Sequence, residues 1–184
     1  MNKSALIINH IRQSRKTERP FTEMVQQFPD ILHELRQQQP MAWRDYFGPG
    51  KGRASTKKML LAEGKAHWFK DDAADFRGLY VWYHEEHPFY VGISNNVLQR
   101  VGQHAKAKDH YSASMAYKIA RDLWPTETKT RRADYDQENI AVVREWLKDQ
   151  HLRMMPINDA DQLALFEIYC ALELGCALNV FEPH

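Results

Sequence analysis

Two apolar and aromatic runs, residues 78–83 and 89–93, flank the polar segment HEEHP. Aromatic and β-branched residues are typical of strands, and a short polar bend joins two strands into a hairpin. A third apolar run over residues 152–157 predicts another strand, which ends near Pro156. The pattern therefore predicts a strand pair and, much later in the chain, one more strand.

Apolar residues at helical spacing occupy most of the remaining chain. They predict helices over residues 3–15, 21–39, 57–67, 97–107, 112–122, 137–150 and 158–174. Pro29 must interrupt the second of these or start a new helix. The residues SNN at 94–96 offer an N-cap for the helix that follows the hairpin. The glycine-rich segment 40–56 and the acidic segment DDAAD at 71–75 are predicted to be connections.

Composition indicates a folded protein in a reducing compartment. Hydrophobic residues make up 43% of the 184 residues, which is enough to bury a core. The net charge of +1 neither favours nor excludes a polyanionic partner, but residues 1–75 carry 13 Lys and Arg against 9 Asp and Glu. Cys170 and Cys176 have neither disulfide nor metal-site spacing. Glu167 and Glu173 interrupt the apolar stretch around them, which predicts a buried helix, no membrane span and a cytoplasmic location.

Charged residues stand among apolar ones in two predicted helices. Arg100 and His104 are four residues apart, so they share one helix face on the flank of an apolar stripe. Glu167 is surrounded by apolar residues on its helical wheel, and a buried carboxylate is costly unless a cation or metal compensates it. Taken alone, such an Arg–His pair is more often a solvated helix edge, and such a glutamate more often reaches water.

The hairpin tyrosines fall on two sheet faces. Tyr80 and Tyr90 are placed to face each other on adjacent strands, whereas Tyr83 points to the opposite face. Aromatic residues in a hairpin ordinarily pack against a sheet, so packing alone would account for both facing tyrosines.

Considered together, these residues resemble a known family. The matching positions are GLY at 78–80, YVG at 90–92, Arg100, His104, Glu167 and Asn179. They stand in the order and spacing of the GIY-YIG nuclease superfamily, which takes its name from its two strand motifs. The resemblance covers most of residues 76–181.

The resemblance implies an α/β (α+β) fold with a small, mainly antiparallel three-stranded sheet flanked by helices. The nuclease domain would occupy residues 76–184 and would carry a helical insertion at residues 105–150, because Arg100 and Glu167 are far apart in sequence. Residues 1–75 lie outside the resemblance and would form a helical extension, which is a candidate for substrate contact.

The resemblance also implies the roles of a phosphodiesterase site. Glu167 would bind one divalent cation, Mg²⁺ or Mn²⁺, and one carboxylate suffices because magnesium also accepts water and phosphate oxygens. Arg100 would hold the scissile phosphate through its planar guanidinium. Tyr80 and Tyr90 would orient water and phosphate, with either one as general base, and His104 would be a second acid–base group or phosphate contact.

Further positions would complete the implied site. Asn179 would brace it by hydrogen bonding, and Gly78 and Gly92 would allow close backbone approach. His110 is an additional candidate for substrate contact. Some relatives carry a lysine just after the second motif, where Ile93 stands here, so the identity of the general base stays open.

The N-terminal region adds a separate candidate surface. The segment WRDYFGPGKGRAS joins Arg44, Lys51 and Arg53 with aromatic neighbours. Basic and aromatic residues together are typical of nucleic-acid contacts, although a solvated loop is the more ordinary explanation.

The sequence thus predicts a metal-dependent endonuclease that hydrolyses phosphodiester bonds, with nucleic acid as partner and DNA preferred over RNA. The alternatives are a non-cleaving nucleic-acid-binding module on the same fold and a protein-interaction scaffold. Strandedness, sequence specificity, biological role and oligomeric state are left open, because fold resemblance does not supply them.

Overall fold

In the part of the chain that the structure describes, four strands form one antiparallel sheet in the order β1-β4-β2-β3. They are β1 (Met41–Ala42), β2 (Gly78–His84), β3 (His87–Ser94) and β4 (His151–Pro156). The hairpin β2–β3 and the late strand β4 confirm the three predicted strands. The three-stranded count is wrong, because β1 pairs with β4 through Met41 and Leu152. A strand of two residues is too short to show the alternation of apolar and polar residues, so no sequence pattern predicts it.

The computed structural model describes residues 3–13, 19–107, 113–126 and 131–181. Within these ranges the α-helices are α1 (Lys3–Gln13), α2 (Phe21–Gln26), α3 (Phe28–Gln37), α4 (Trp43–Phe47), α5 (Arg53–Ala62), α6 (Val97–Lys106), α7 (Ser114–Leu123), α8 (Gln137–Lys148) and α9 (Ala160–Glu173). Short 3₁₀ turns occupy Ala66–Trp68 and Arg132–Asp134. Pro29 lies in the first turn of α3, so it starts a helix there, as one of the two predicted alternatives required.

The segment predicted as a glycine-rich loop contains α4 and the start of α5. Trp43 and Phe47 are one turn apart, both are buried, and their rings stack with centroids 5.9 Å apart. The five residues of α4 end just before Gly48 and Pro49 and are too few to show a helical period. Tertiary packing of the two aromatic rings therefore decides this helix.

Each sheet face has its own hydrophobic core. The first core covers the face of Tyr80 and Trp82 and is completed by α4 to α8. The second covers the face of Leu79, Val81 and Tyr83 and is completed by α3 and α9. Alternate residues of β2 therefore point to opposite cores, which confirms the predicted separation of Tyr80 from Tyr83.

Much of the region before β2 belongs to these two cores. Leu35 of α3 is fully buried in the second core, and Trp43 and Leu60 are buried in the first. By contrast, the described side chains of α1, from Lys3 to Ile11, are exposed. Within the described ranges, every helix is too short or too polar to traverse a lipid bilayer.

Candidate active site

Tyr80 stands at the centre of the site, in the middle of β2, with 1% of its surface exposed. Its partner on β3 is Gly92. A Cβ atom at Gly92 would lie 2.5 Å from both Cζ and Oη of Tyr80. The predicted close approach at Gly92 is therefore an approach by the tyrosine ring, which lies directly over the glycine.

At Gly78 it is the backbone of a neighbouring strand that comes close, rather than a side chain. A Cβ atom there would lie 2.0 Å from the carbonyl oxygen of Met155, on the neighbouring strand β4. Gly78 thus permits the pairing of β2 with β4, and the structure gives it a role in the sheet rather than a contact with the tyrosines.

A hydrogen bond of 2.8 Å links the Tyr80 hydroxyl to Nε2 of His104 on α6. His104 is fully buried, and its Nδ1 has no hydrogen-bond partner among the described residues. Burial, together with the nearby charge of Arg100, lowers the His104 pKa to about 3. The imidazole is therefore neutral near pH 7, and one of its nitrogens is an acceptor.

Tyr90 joins the same cluster from β3. Its ring centroid is 6.3 Å from that of Tyr80 and 5.9 Å from that of His104. Burial raises the pKa of Tyr90 above its usual value, the charge of Glu167 adds to the rise, and Arg100 opposes it. The structure thus brings the two predicted tyrosines together on one sheet face.

Arg100 reaches the cluster from α6, one turn before His104. Burial raises the pKa of Tyr80 well above its usual value, and the charge and hydrogen bonding of Arg100 work against that rise. One guanidinium nitrogen of Arg100 also donates to Oγ of Ser114 on α7, at 2.6 Å. This contact with Ser114 was not predicted, because no local pattern connects residues on separate helices.

Asp75 holds α6 in place, although the sequence predicted only a polar connection there. Its two carboxylate oxygens accept the backbone N–H groups of Leu98 and Gln99 at 2.8 and 2.9 Å. Asn96 occupies the N-cap position of α6, yet its side chain makes no capping hydrogen bond. The N-cap position predicted within residues 94–96 is therefore confirmed, but Asp75 satisfies the helix donors instead of the Asn96 side chain.

Glu167 lies on α9 and is half-buried. The desolvation that accompanies this burial raises the pKa of the Glu167 carboxyl group. Its charge raises the pKa of both Tyr80 and Tyr90, so it lies within electrostatic reach of the tyrosine pair. Glu173, the other acidic residue in this apolar helix, is exposed. The structure therefore places Glu167 near the tyrosines and leaves Glu173 in solvent.

Asn179 braces the edge strand β3. Its side-chain amide donates to the carbonyl oxygen of Val91 and accepts from the Val91 N–H, both at 2.8 Å. This pair of bonds continues the ladder at the outer edge of β3, next to Tyr90. The predicted bracing by hydrogen bonding thus acts on the strand that carries Tyr90.

The residues present fit a single divalent cation of the magnesium type. No group of three or more His, Cys, Asp and Glu ligands occurs in the described part of the chain. Glu167 offers one partly desolvated carboxylate within electrostatic reach of the tyrosines. Mg²⁺ is commonly held by one or two carboxylates together with water and substrate phosphate oxygens, whereas zinc requires three or four protein ligands.

The basic residues of the N-terminal region have other contacts. Arg44 pairs with Asp149 at 2.6 Å, Lys51 donates to the backbone carbonyl of Asp45, and Arg53 donates to the Gln99 side chain at 3.2 Å. The contacts found for these three residues do not include the tyrosine cluster. His110 lies outside the described residues.

Comparison with known proteins identifies one family. Residues 76–142 match the family model described as the GIY-YIG catalytic domain. This confirms the resemblance found in the sequence, over a range that includes Tyr80, Tyr90, Arg100 and His104. No curated protein and no solved structure matches the chain significantly.

Proposed function

We propose that the protein, whose residues 76–142 match the GIY-YIG catalytic domain, is a metal-dependent endonuclease that hydrolyses phosphodiester bonds of DNA. The observation that carries this proposal is the 2.8 Å bond between Tyr80 and His104, beside Arg100 and within electrostatic reach of Glu167. Hydrolysis needs an oriented water, stabilisation of phosphate charge and assistance to the leaving oxygen. Each requirement is met by a residue type of this cluster.

In this proposal, Arg100 binds the scissile phosphate. A guanidinium presents two parallel donors to phosphate oxygens and keeps its charge at all working pH values. The bound phosphate would also offset the positive charge that helps to lower the His104 pKa.

Tyr80 and His104 would supply the general base as a pair. A tyrosine whose pKa is raised by burial does not ionise near pH 7 without an acceptor for its proton. His104 is neutral and hydrogen-bonded to the Tyr80 hydroxyl, so its Nε2 can receive that proton while Tyr80 takes one from water. Tyr90 would orient the phosphate from β3.

Glu167 would hold the divalent cation, Mg²⁺ or Mn²⁺. When bound, such a cation stabilises negative charge on phosphate oxygens and lowers the pKa of its coordinated water. A cation would also compensate the half-buried carboxylate, whose desolvation is otherwise unfavourable.

The test compares Glu167→Gln with the matched control Glu173→Gln, since both residues lie on α9 and only Glu173 is exposed. Supercoiled plasmid, single-stranded DNA and RNA of the same sequence are incubated with Mg²⁺, Mn²⁺ or EDTA. We expect metal-dependent nicking of DNA by the wild type and Glu173→Gln, with a loss of at least 100-fold in Glu167→Gln.

The other outcomes exclude parts of the proposal. Equal cleavage by both variants would show that Glu167 is not part of the active site. Cleavage in the presence of EDTA would show that the reaction needs no divalent cation. Cleavage confined to RNA would change the substrate. DNA binding without any cleavage would favour the alternative, a binding module on the same fold.

A further inference from the structure

Helix α7 lies against the site and contributes side chains that none of the roles above uses. Its first residue, Ser114, accepts a hydrogen bond from Arg100 at 2.6 Å. This contact ties the N-terminal end of α7 to the group that would bind the scissile phosphate. The residue one turn later on the same helix face is Lys118.

Lys118 is a half-buried cation with unused hydrogen-bonding capacity. Its ammonium group donates to the backbone carbonyl oxygen of Leu178. None of the described carboxylates forms an ion pair with it. An ammonium group has three donors, and a single neutral carbonyl leaves its charge uncompensated.

The position of Leu178 places this cation beside the tyrosines. The Leu178 N–H donates to the carbonyl oxygen of Phe89 at 3.1 Å. The side chain of the next residue, Asn179, forms hydrogen bonds with both the N–H and the carbonyl oxygen of Val91. Leu178 and Asn179 therefore run along β3 on both sides of Tyr90. Through the Leu178 carbonyl, the Lys118 ammonium group contacts the segment that lies along this edge of β3.

We propose that Lys118 binds a substrate phosphate that neighbours the scissile one, a proposal that rests on the proposed nuclease function. Ser114 and Lys118 are separated by about 6 Å along the helix axis. That separation corresponds to one or two nucleotide steps of about 3.4 Å along a duplex. A strand whose scissile phosphate meets Arg100 would thus present another phosphate to Lys118.

The competing explanation is that Lys118 has only a structural role, in which its hydrogen bond to the Leu178 carbonyl attaches the C-terminal segment to α7. Lys118→Gln separates the two roles, because a glutamine amide can still donate to a carbonyl but carries no charge. Lys118→Arg keeps the charge and the donors. Lys148→Gln is the matched control, since Lys148 pairs with Glu145 on α8.

The experiment measures equilibrium binding of a labelled DNA duplex between 50 and 200 mM NaCl, with every variant made in the non-cleaving Glu167→Gln protein. Each phosphate contact contributes about 0.9 to the slope of log affinity against log salt. We expect Lys118→Gln to lower the slope by about 0.9, so that its affinity deficit shrinks about threefold across this range. Lys118→Arg and Lys148→Gln should keep the parental slope.

An unchanged slope in Lys118→Gln would overturn the inference, even if its unfolding temperature falls. A reduced slope in both Lys118→Gln and Lys148→Gln would also overturn it, because the effect would then be one of overall charge. The proposed function is tested separately by DNA cleavage in the wild type and in Glu173→Gln, which both keep Glu167. If these proteins do not cleave DNA but Lys118→Gln still lowers the salt slope, the nuclease proposal is wrong and the phosphate contact of Lys118 stands.

Discussion

At the residue scale, the site depends on a tyrosine ring that lies against a glycine. Tyr80 has almost no exposed surface, so its ring has no room to move away from β3. The glycine of the second strand motif is thus explained by the tyrosine of the first, since their Cα atoms are partners in the hairpin. The two motifs are one structural unit rather than two independent signatures.

Replacing Gly92 by Ala should therefore damage both stability and activity. The new Cβ would lie 2.5 Å from the Tyr80 ring, and overpacking of this kind costs about 1–3 kcal/mol. Urea unfolding and the initial rate of DNA nicking measure the two effects.

The matched control is Gly102→Ala on α6. A Cβ there would meet only Phe47, at an ordinary 3.7 Å, and alanine is favoured over glycine in a helix by about 1 kcal/mol. We expect this variant to be as stable as the wild type or more so. Equal losses in both variants would refute the role assigned to Gly92.

The buried imidazole of His104 should make stability depend on pH. Its pKa is about 3 in the folded protein and about 6.5 when unfolded. The unfolded chain therefore binds more protons between these values, so the contribution of His104 is complete above pH 6.5 and declines as pH falls towards 3. At pH 5 the loss would reach at most about 2 kcal/mol.

His104→Gln removes this titration and provides the comparison. The unfolding free energies of both proteins are measured at pH 7.5 and pH 5, and the wild type should lose more. Parallel losses would show that other groups cause the pH dependence.

At the element scale, α6 positions Arg100 and His104 and is itself held by a residue from outside the helix. Asp75 accepts the N–H groups of Leu98 and Gln99, and the Val97 N–H donates to the carbonyl oxygen of Phe76 at 3.0 Å. These first donors of α6 are thereby satisfied within the chain. Substrate phosphate would accordingly be bound by side chains and not by these backbone groups.

Asp75→Ala should weaken the attachment of α6 to β2. Loss of a capping side chain costs about 1–2 kcal/mol, and the freed N–H groups lie in a largely buried region. Asn96→Ala is the control, because Asn96 occupies the N-cap position without a capping bond. Thermal unfolding should show a lower midpoint for Asp75→Ala and a change within about 0.5 kcal/mol for Asn96→Ala. The reverse order would restore the cap predicted from the sequence.

At the scale of the whole molecule, the segment from α3 to α5 is part of the folding unit. Leu35, Trp43 and Leu60 are fully or almost fully buried in the two cores that enclose the sheet. The family match begins only at residue 76, after this segment. The folding of the matched region therefore depends on packing partners outside residues 76–142.

Two truncations test this dependence. A chain that begins at residue 76 loses these partners and should not unfold cooperatively, because each large core side chain contributes about 2–5 kcal/mol. Removal of residues 1–13 should leave the unfolding midpoint within a few degrees of the wild type, since the described side chains of α1 are exposed. Urea unfolding followed by tryptophan fluorescence distinguishes the two results, and a cooperative transition in the shorter chain would contradict the assignment.

Local sequence patterns predicted the resemblance to the GIY-YIG family, most of the helices, the strands of the hairpin and the face on which each tyrosine lies. These features depend on local periodicity and on motif order, which are properties of neighbouring residues. The alternation along β2 places Tyr80 in one core and Tyr83 in the other without any knowledge of the rest of the molecule.

Which residues meet across these elements depends on the tertiary packing of the chain. The cap of α6 by Asp75, the two-residue strand β1, the helix of Trp43 and Phe47, and the contact of Arg100 with Ser114 all join segments that no local pattern connects. Tertiary packing also distinguishes half-buried Glu167 from exposed Glu173. The physical reason is that burial and long-range hydrogen bonds depend on how elements pack, and packing energy is set by the whole chain.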